Sequence, residues 1–146
     1  MSLREWLEKG WLREHKTTRT EIAAILAVAD RDLADSRAVG LSADGRFQIA
    51  YSAALEAATA ALAAAGYRPG RVESQHYRVL QSLALTVGAT PQQVSTLESF
   101  RKKRNIASYE RAGLVSQEET REMMELAEAL RKKVEEWLRS EHPELL

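Results

Sequence analysis

Five polar residues lie close together along one predicted helix and could bind a phosphate group. Arg101, Arg104, Asn105, Ser108 and Tyr109 all fall between positions 101 and 109. Arginine suits phosphate because its planar donors bind two oxygens at once. The neighbouring amide and hydroxyl groups can add further hydrogen bonds. This spacing predicts a polar cleft that receives a phosphate-bearing ligand or an acidic partner surface.

Arg104 is unusual because it falls near the centre of an apolar arc. At about 100° per residue, Val94, Leu97, Phe100 and Ala107 lie on the same side of the helix. A guanidinium there must be paired, must reach solvent, or must face a cleft, since an unpaired buried charge is very costly. The alternative to a binding role is a structural ion pair with an aspartate of an earlier helix: Asp30, Asp32 or Asp35.

No other pattern in the sequence indicates a catalytic or metal site. The three histidines, His15, His76 and His142, lack metal-ligand spacing, and the chain has no cysteine. Glycine-rich phosphate loops, GxSxG elbows and zinc motifs are absent from the sequence. His76 falls on an apolar stripe, which favours a core histidine over a ligand. We therefore expect no metal and no cofactor.

Length and composition favour one cytoplasmic domain with no membrane segment. A chain of 146 residues can bury a stable core without cross-links, and a lack of cysteine fits a reducing compartment. No run reaches the ~18 apolar residues of a membrane span, and the first residues have no signal-peptide core. The 21 basic and 21 acidic residues cancel, so a site for polyanions must be local.

Helical periodicity runs through every long segment, and we predict no sheet. Helix-start signals stand at Ser2, Thr18, Thr90 and Ser116. The pattern predicts an all-α fold, an antiparallel up-and-down bundle of four long helices, the third of them broken, plus a short N-terminal helix. Residues 1–16 would form this accessory helix and residues 17–142 the bundle. Ten of the sixteen residues at 50–65 are alanine, which lets helices approach closely and suggests self-association.

Four segments carry a family resemblance through their order. They are Asp30–Ser36 (DRDLADS), Phe47–Leu62 with its small residues, Phe100–Tyr109 (FRKKRNIASY) and Val115–Glu119 (VSQEE). In this order they are similar to the first and second core helices, the signature segment and the start of the last helix of the HEPN family (higher eukaryotes and prokaryotes nucleotide-binding domains). The resemblance covers about three quarters of the chain and implies a helical bundle that is often dimeric.

The resemblance also implies a function. Many members are metal-independent ribonucleases in which an arginine and a polar residue precede a histidine. The corresponding residues here are Arg104 and Asn105, but Tyr109 occupies the histidine position. Tyrosine titrates near ~10 rather than ~6.5, which makes it a poor proton acceptor. The sequence is thus more similar to members without the histidine, some of them encoded beside nucleotidyltransferases in toxin–antitoxin pairs.

Three functions follow as hypotheses. The first is a catalytically degenerate homodimer that binds a nucleotide or RNA through Arg104, Asn105, Tyr109, Arg101 and Ser108, with a nucleotidyltransferase as a protein partner. The second is a toxin-type ribonuclease that uses Arg104 and Tyr109, with His76 brought near. The third is a purely structural protein–protein interaction bundle whose polar cluster serves folding alone.

Overall fold

Helices make up 71% of the residues that the structure describes, and the all-α prediction is confirmed. The computed structural model describes residues 1–71, 75–109 and 113–146, with the backbone alone at 107–109. Within these ranges the helices are α1 (Leu3–Glu8), α2 (Arg19–Asp35), α3 (Ala43–Ala64), α4 (Gln75–Ser82), α5 (Pro91–Tyr109) and α6 (Gln117–Glu141), and the strands are β1 (Leu12–Glu14) and β2 (Tyr67–Pro69). None of the described helices is long and apolar enough to cross a bilayer.

Side-chain caps fix the starts of α2, α5 and α6 where the sequence predicts them. Thr90 and Gln93 exchange two hydrogen bonds of 3.0 Å, each side chain accepting from the other's backbone N–H. Ser116 and Glu119 form the same reciprocal box at the start of α6, and the Thr18 hydroxyl caps α2. Each cap satisfies backbone N–H groups that have no partner within the helix.

The alanine-rich helix α3 forms the centre of the bundle. It contacts α2, α4, α5 and α6, most extensively α2 and α6. Ala54, Ala57, Ala58 and Ala61 are fully buried, so small side chains let these helices pack close to α3. The alanine surface is therefore used inside the bundle, and little of it remains for contact with another molecule.

The third arm of the bundle is broken, as predicted. Helix α4 ends at Ser82, whose hydroxyl donates to the carbonyl of Val79 at 2.6 Å. A turn region follows, and α5 begins at Pro91. An apolar stripe at helical spacing, which includes Val72, Val79, Leu83 and Val87, predicts a fourth helix that reaches Val87. Helix α4 stops earlier because the backbone turns back, and the N–H of Ala89 donates to the carbonyl of Leu83 at 3.1 Å. Val72, the predicted start of this stripe, lies outside the described residues.

The prediction of no sheet is wrong. Strands β1 and β2 pair in antiparallel fashion, with Leu12 opposite Pro69 and Glu14 opposite Tyr67. Strands of three residues are too short for the two-residue alternation that identifies a strand in sequence. The pairing joins the N-terminal segment to the bundle, and Trp6 of α1 is buried in the same core.

Candidate anion-binding site and the adjoining groove

The inner face of α5 carries two apolar residues and then an arginine. Leu97 and Phe100 are buried, and the Phe100 ring meets the Phe47 ring of α3 edge to face at 5.2 Å between centroids. Arg104 follows one turn later on the same face, as the periodicity predicts. Its guanidinium carbon lies 5.4 Å from the centre of the Tyr51 ring, which is a cation–π distance.

Arg104 has no ion-pair partner among the carboxylates of the described residues. Its only polar contact there is a long hydrogen bond of 3.5 Å from Nη1 to the Asn105 side-chain oxygen. The Nε atom of Arg104 is buried and has no hydrogen-bond partner among the described residues. The aspartates considered from sequence do not bind it: Arg131 binds Asp30 and Arg31 binds Asp32, and Asp35 makes no ion pair with it.

Tyr51 of α3 lies beneath Arg104 and is almost fully buried, with 1% of its surface exposed. Its hydroxyl also lacks a partner among the described residues. Burial raises the pKa of Tyr51 to about 12, against the opposing charges of Arg104 and Arg101. The phenol therefore keeps its proton and can act as a hydrogen-bond donor at physiological pH.

Arg101, one turn before Arg104, is neutralised by a carboxylate. Its Nε and Nη2 donate to the two oxygens of Glu98 at 2.9 and 2.7 Å. This bidentate pair raises the pKa of Arg101 and fixes its position beside the Tyr77 ring, 5.6 Å from the ring centre. Arg101 and Arg104 thus differ: the first holds a carboxylate already, and the second does not.

His76 is exposed, which contradicts its expected place in the core. It lies in the first turn of α4, where the helix edge faces solvent. Its ring centroid is 6.5 Å from that of Tyr51. Partial desolvation and the charges of Arg104 and Arg101 lower the pKa of His76, so the ring is neutral near pH 7 and can accept a proton.

Arg101, Arg104 and Asn105 all lie in the second half of α5, where Arg104 contacts Asn105 and Arg101 binds Glu98. The side chains of Ser108 and Tyr109 lie outside the described residues, so their part in the site stays a prediction. Tyr51 was missed as a member of this cluster because it belongs to another element, α3, and His76 was considered near Arg104 only in the ribonuclease hypothesis. The only sequence signal of either residue was a place on the apolar stripe of its helix.

The opposite face of α5 borders a long groove, here called the outer groove. It is open to solvent, has a volume of about 1070 Å³ and runs between α5, α4 and the N-terminal segment. Its walls are largely apolar, and cationic groups of Arg78, Lys102 and Lys103 lie along them. Arg78 covers the Trp11 ring at 3.5 Å, and Lys103 pairs with Glu119.

No metal-binding cluster of histidine and carboxylate residues occurs in the part of the chain that the structure describes. Comparison of the chain with protein-family models and with curated protein sequences gives no match. The resemblance to the HEPN family therefore stays a prediction that rests on the order of the sequence motifs.

Proposed function

We propose that this chain is a HEPN-like module that binds the phosphate of a nucleotide or of RNA and has lost efficient catalysis. The observation that carries the proposal is the state of Arg104. Its guanidinium is half-buried above Tyr51 and forms no ion pair with any described carboxylate. A charge in such a position is stabilised by an anion from outside the chain.

The surroundings of Arg104 favour an anionic ligand. The charges of Arg104 and Arg101 both act on Tyr51 and His76, but of these two arginines only Arg104 has no carboxylate partner among the described residues. The Glu98 carboxylate nearby is already bound by Arg101. A phosphate could accept a bidentate pair of hydrogen bonds from the guanidinium of Arg104. Asn105, with Ser108 and Tyr109 from the sequence pattern, would complete the site.

Calorimetric titration of the full chain tests this site with three probes. Inorganic phosphate, adenosine monophosphate and a short single-stranded RNA separate recognition of phosphate alone from recognition of nucleotide or polymer. Arg104→Ala and Arg104→Lys should each weaken binding about 10–100-fold, because a charge-assisted hydrogen bond contributes ~1.5–3 kcal/mol. Lysine keeps the charge but loses the planar pair of donors.

Arg19→Ala is the matched control, since it removes one positive charge from an exposed position on α2. Its binding should equal that of the wild type. Unchanged phosphate affinity in Arg104→Ala, or an equal loss of affinity in Arg19→Ala, would show that binding is nonspecific. Either result would contradict the proposed site.

A ribonuclease is the second candidate, and His76 is the observation that favours it. Its lowered pKa and its proximity to Arg104 and Arg101 are the properties expected of a proton acceptor at a phosphodiester. With Tyr109 in the family's histidine position, we expect RNA cleavage to be weak or absent and unaffected by chelators. Robust cleavage that disappears in Tyr109→Phe or His76→Gln would make the chain an enzyme.

The family resemblance also motivates a nucleotidyltransferase as a protein partner in a toxin–antitoxin pair. Co-expression with the product of a neighbouring nucleotidyltransferase gene, followed by purification on a tag carried by one of the two proteins, tests this pairing. A stable complex would support it. The absence of such a gene, together with absent ligand binding, would favour the purely structural interaction bundle instead.

A further inference from the structure

The outer groove offers an extended apolar surface along one side of α5. The residues of α5 that line it continue from Pro91 to Ile106, a length of about 22 Å at ~1.5 Å per residue. Val94 among them also packs against the core, but the others lie on the side of the helix away from Leu97 and Phe100. A length of about 22 Å corresponds to four turns of a second helix, which exceeds the span of a typical small ligand.

Exposed apolar side chains concentrate in this groove. Five large hydrophobic residues are exposed in the described chain, and three of them, Met1, Leu85 and Ile106, line the outer groove. Leu85 follows α4 and Ile106 lies on α5, with 38% and 40% of their surfaces exposed. Apolar residues on two walls of one groove mark a binding surface more strongly than isolated ones.

The unpaired charges of the groove are positive. Lys102 is exposed and makes no polar contact with any described residue. Arg78 stacks on Trp11, and its one described polar contact is with Gln81 at 3.4 Å. Two other charged lining residues are already satisfied, because Lys103 binds Glu119 and Glu98 binds Arg101. A ligand that matches this surface must therefore supply carboxylates at the rim.

We propose that the outer groove binds an acidic amphipathic helix of a partner protein. Such a helix would insert apolar side chains at i, i+3, i+4 and i+7 between the walls and place glutamate or aspartate beside Lys102 and Arg78. Single-stranded nucleic acid fits less well, because base stacking needs an open aromatic face. Trp6 is buried, and the Trp11 ring is covered by Arg78 at 3.5 Å and approached by Lys9 at 4.7 Å.

Selection from a displayed library of random peptides, roughly 15 residues long, tests this proposal on the full chain. Binders are counter-selected against the double variant Leu85→Glu/Ile106→Glu, whose changes fall on exposed positions and leave the core intact. We expect enriched sequences with apolar residues at helical spacing and flanking carboxylates. Lys102→Glu should weaken a selected peptide about 3–10-fold in fluorescence anisotropy, and added salt should reduce that difference.

Leu41→Glu is the matched control, because Leu41 has 38% of its surface exposed but lies outside the groove. It should bind the selected peptides like the wild type. Several outcomes overturn the proposal: no enrichment over the double variant, enriched peptides that are basic, or single-stranded RNA whose binding is lost in the double variant. If the double variant sediments as a smaller species than the wild type but binds the peptides equally well, the groove belongs to a contact with a second copy of the chain.

Discussion

Glu56 of α3 and Asp32 of α2 place two carboxyl groups side by side inside the bundle. Asp32 is buried, and Glu56 has a buried oxygen, Oε2, with no donor among the described residues. The pKa of Glu56 is raised to about 8, and burial is the largest cause. A hydrogen bond with Asp32 and the negative charge of Asp32 raise it further. When Glu56 is protonated, it can donate to Asp32, so the pair holds one proton near neutral pH.

This pair should make the folded state less stable as pH rises. The folded chain keeps the Glu56 proton up to a pKa of about 8, whereas an ordinary glutamate releases it near 4.5. The unfolded chain therefore binds fewer protons in this window, and the free energy of unfolding falls as pH increases from about 4.5 to about 8. Allowing for partial exposure of Glu56, we expect a loss of about 2 kcal/mol. Thermal melts of the wild type and Glu56→Gln at pH 5 and pH 8 measure it.

Glu56→Gln should flatten this dependence, since the amide neither titrates nor repels Asp32. Glu125→Gln, which removes an exposed carboxylate from α6, should keep the wild-type slope. Equal slopes in all three proteins would mean that Glu56 is ionised throughout the folded pH range.

Arg104 and Arg131 should respond differently to removal, although both are partly buried arginines. Arg131 of α6 binds Asp30 of α2 with hydrogen bonds of 2.8 and 3.1 Å and also holds Glu135. Arg131→Ala should therefore destabilise the bundle by about 1–3 kcal/mol. Arg104→Ala removes no described ion pair and should cost less than about 1 kcal/mol, mainly its contact with Tyr51. Urea unfolding of the two variants measures the difference.

A loss of ~3–5 kcal/mol in Arg104→Ala would mean that a carboxylate in the protein depends on this arginine. Combined with failure to bind any phosphate probe, it would make Arg104 a core ion-pair residue and remove the proposed site.

At the scale of elements, local signals were readable from the sequence and distant contacts were not. The cap formed by Thr90 and Gln93 needs only four consecutive residues, and helical periodicity alone brings Arg104 to the inner face of α5. The pairing of β1 with β2, in contrast, joins positions more than fifty residues apart. Tyr51 and His76 reach Arg104 only through packing of three helices. For this reason the sequence indicated the arginines of the site, and His76 only within the ribonuclease hypothesis, but it did not indicate Tyr51.

The packing of the N-terminal segment against the bundle depends on Gly70, the residue that follows β2. The Gly70 N–H donates to the carbonyl of Trp11 at 2.9 Å, and a Cβ at Gly70 would lie 2.4 Å from the carbonyl oxygen of Gly10. Because both neighbours are backbone atoms, Gly70→Ala must push the segment away. We expect a loss of about 1–3 kcal/mol and faster proteolytic cleavage before α2.

Arg68→Ala serves as the control, because Arg68 is an exposed residue of β2 and its replacement preserves the backbone pairing. It should retain wild-type stability. Wild-type stability and protease resistance in Gly70→Ala would show that the β1–β2 pair does not secure the segment.

At the scale of the whole molecule, the family resemblance predicts a homodimer. Helix α3 is enclosed by its neighbours, so we expect the contact at the Arg104 end of α5 and not at the alanine-rich helix. Sedimentation velocity at micromolar concentration should give a dimer, and a charge introduced at Asn105, as in Asn105→Glu, should shift it toward monomer. A monomer in the wild type across this range would contradict the expectation.

The stacked residues beside the outer groove also make the molecule an optical reporter of its own binding. The rings of Trp6 and Trp11 meet edge to face at 6.0 Å, and Arg78 lies on the second of them. Indole emission depends on the polarity and charge around the ring. A ligand that displaces Arg78 or excludes water from Trp11 should therefore shift the emission maximum of Trp11 and change its intensity. Trp137 lies apart from the groove, beside His142 at 4.9 Å. Replacing Trp137 by phenylalanine would leave a fluorescence signal from the groove alone, so that its occupancy could be followed without any attached dye.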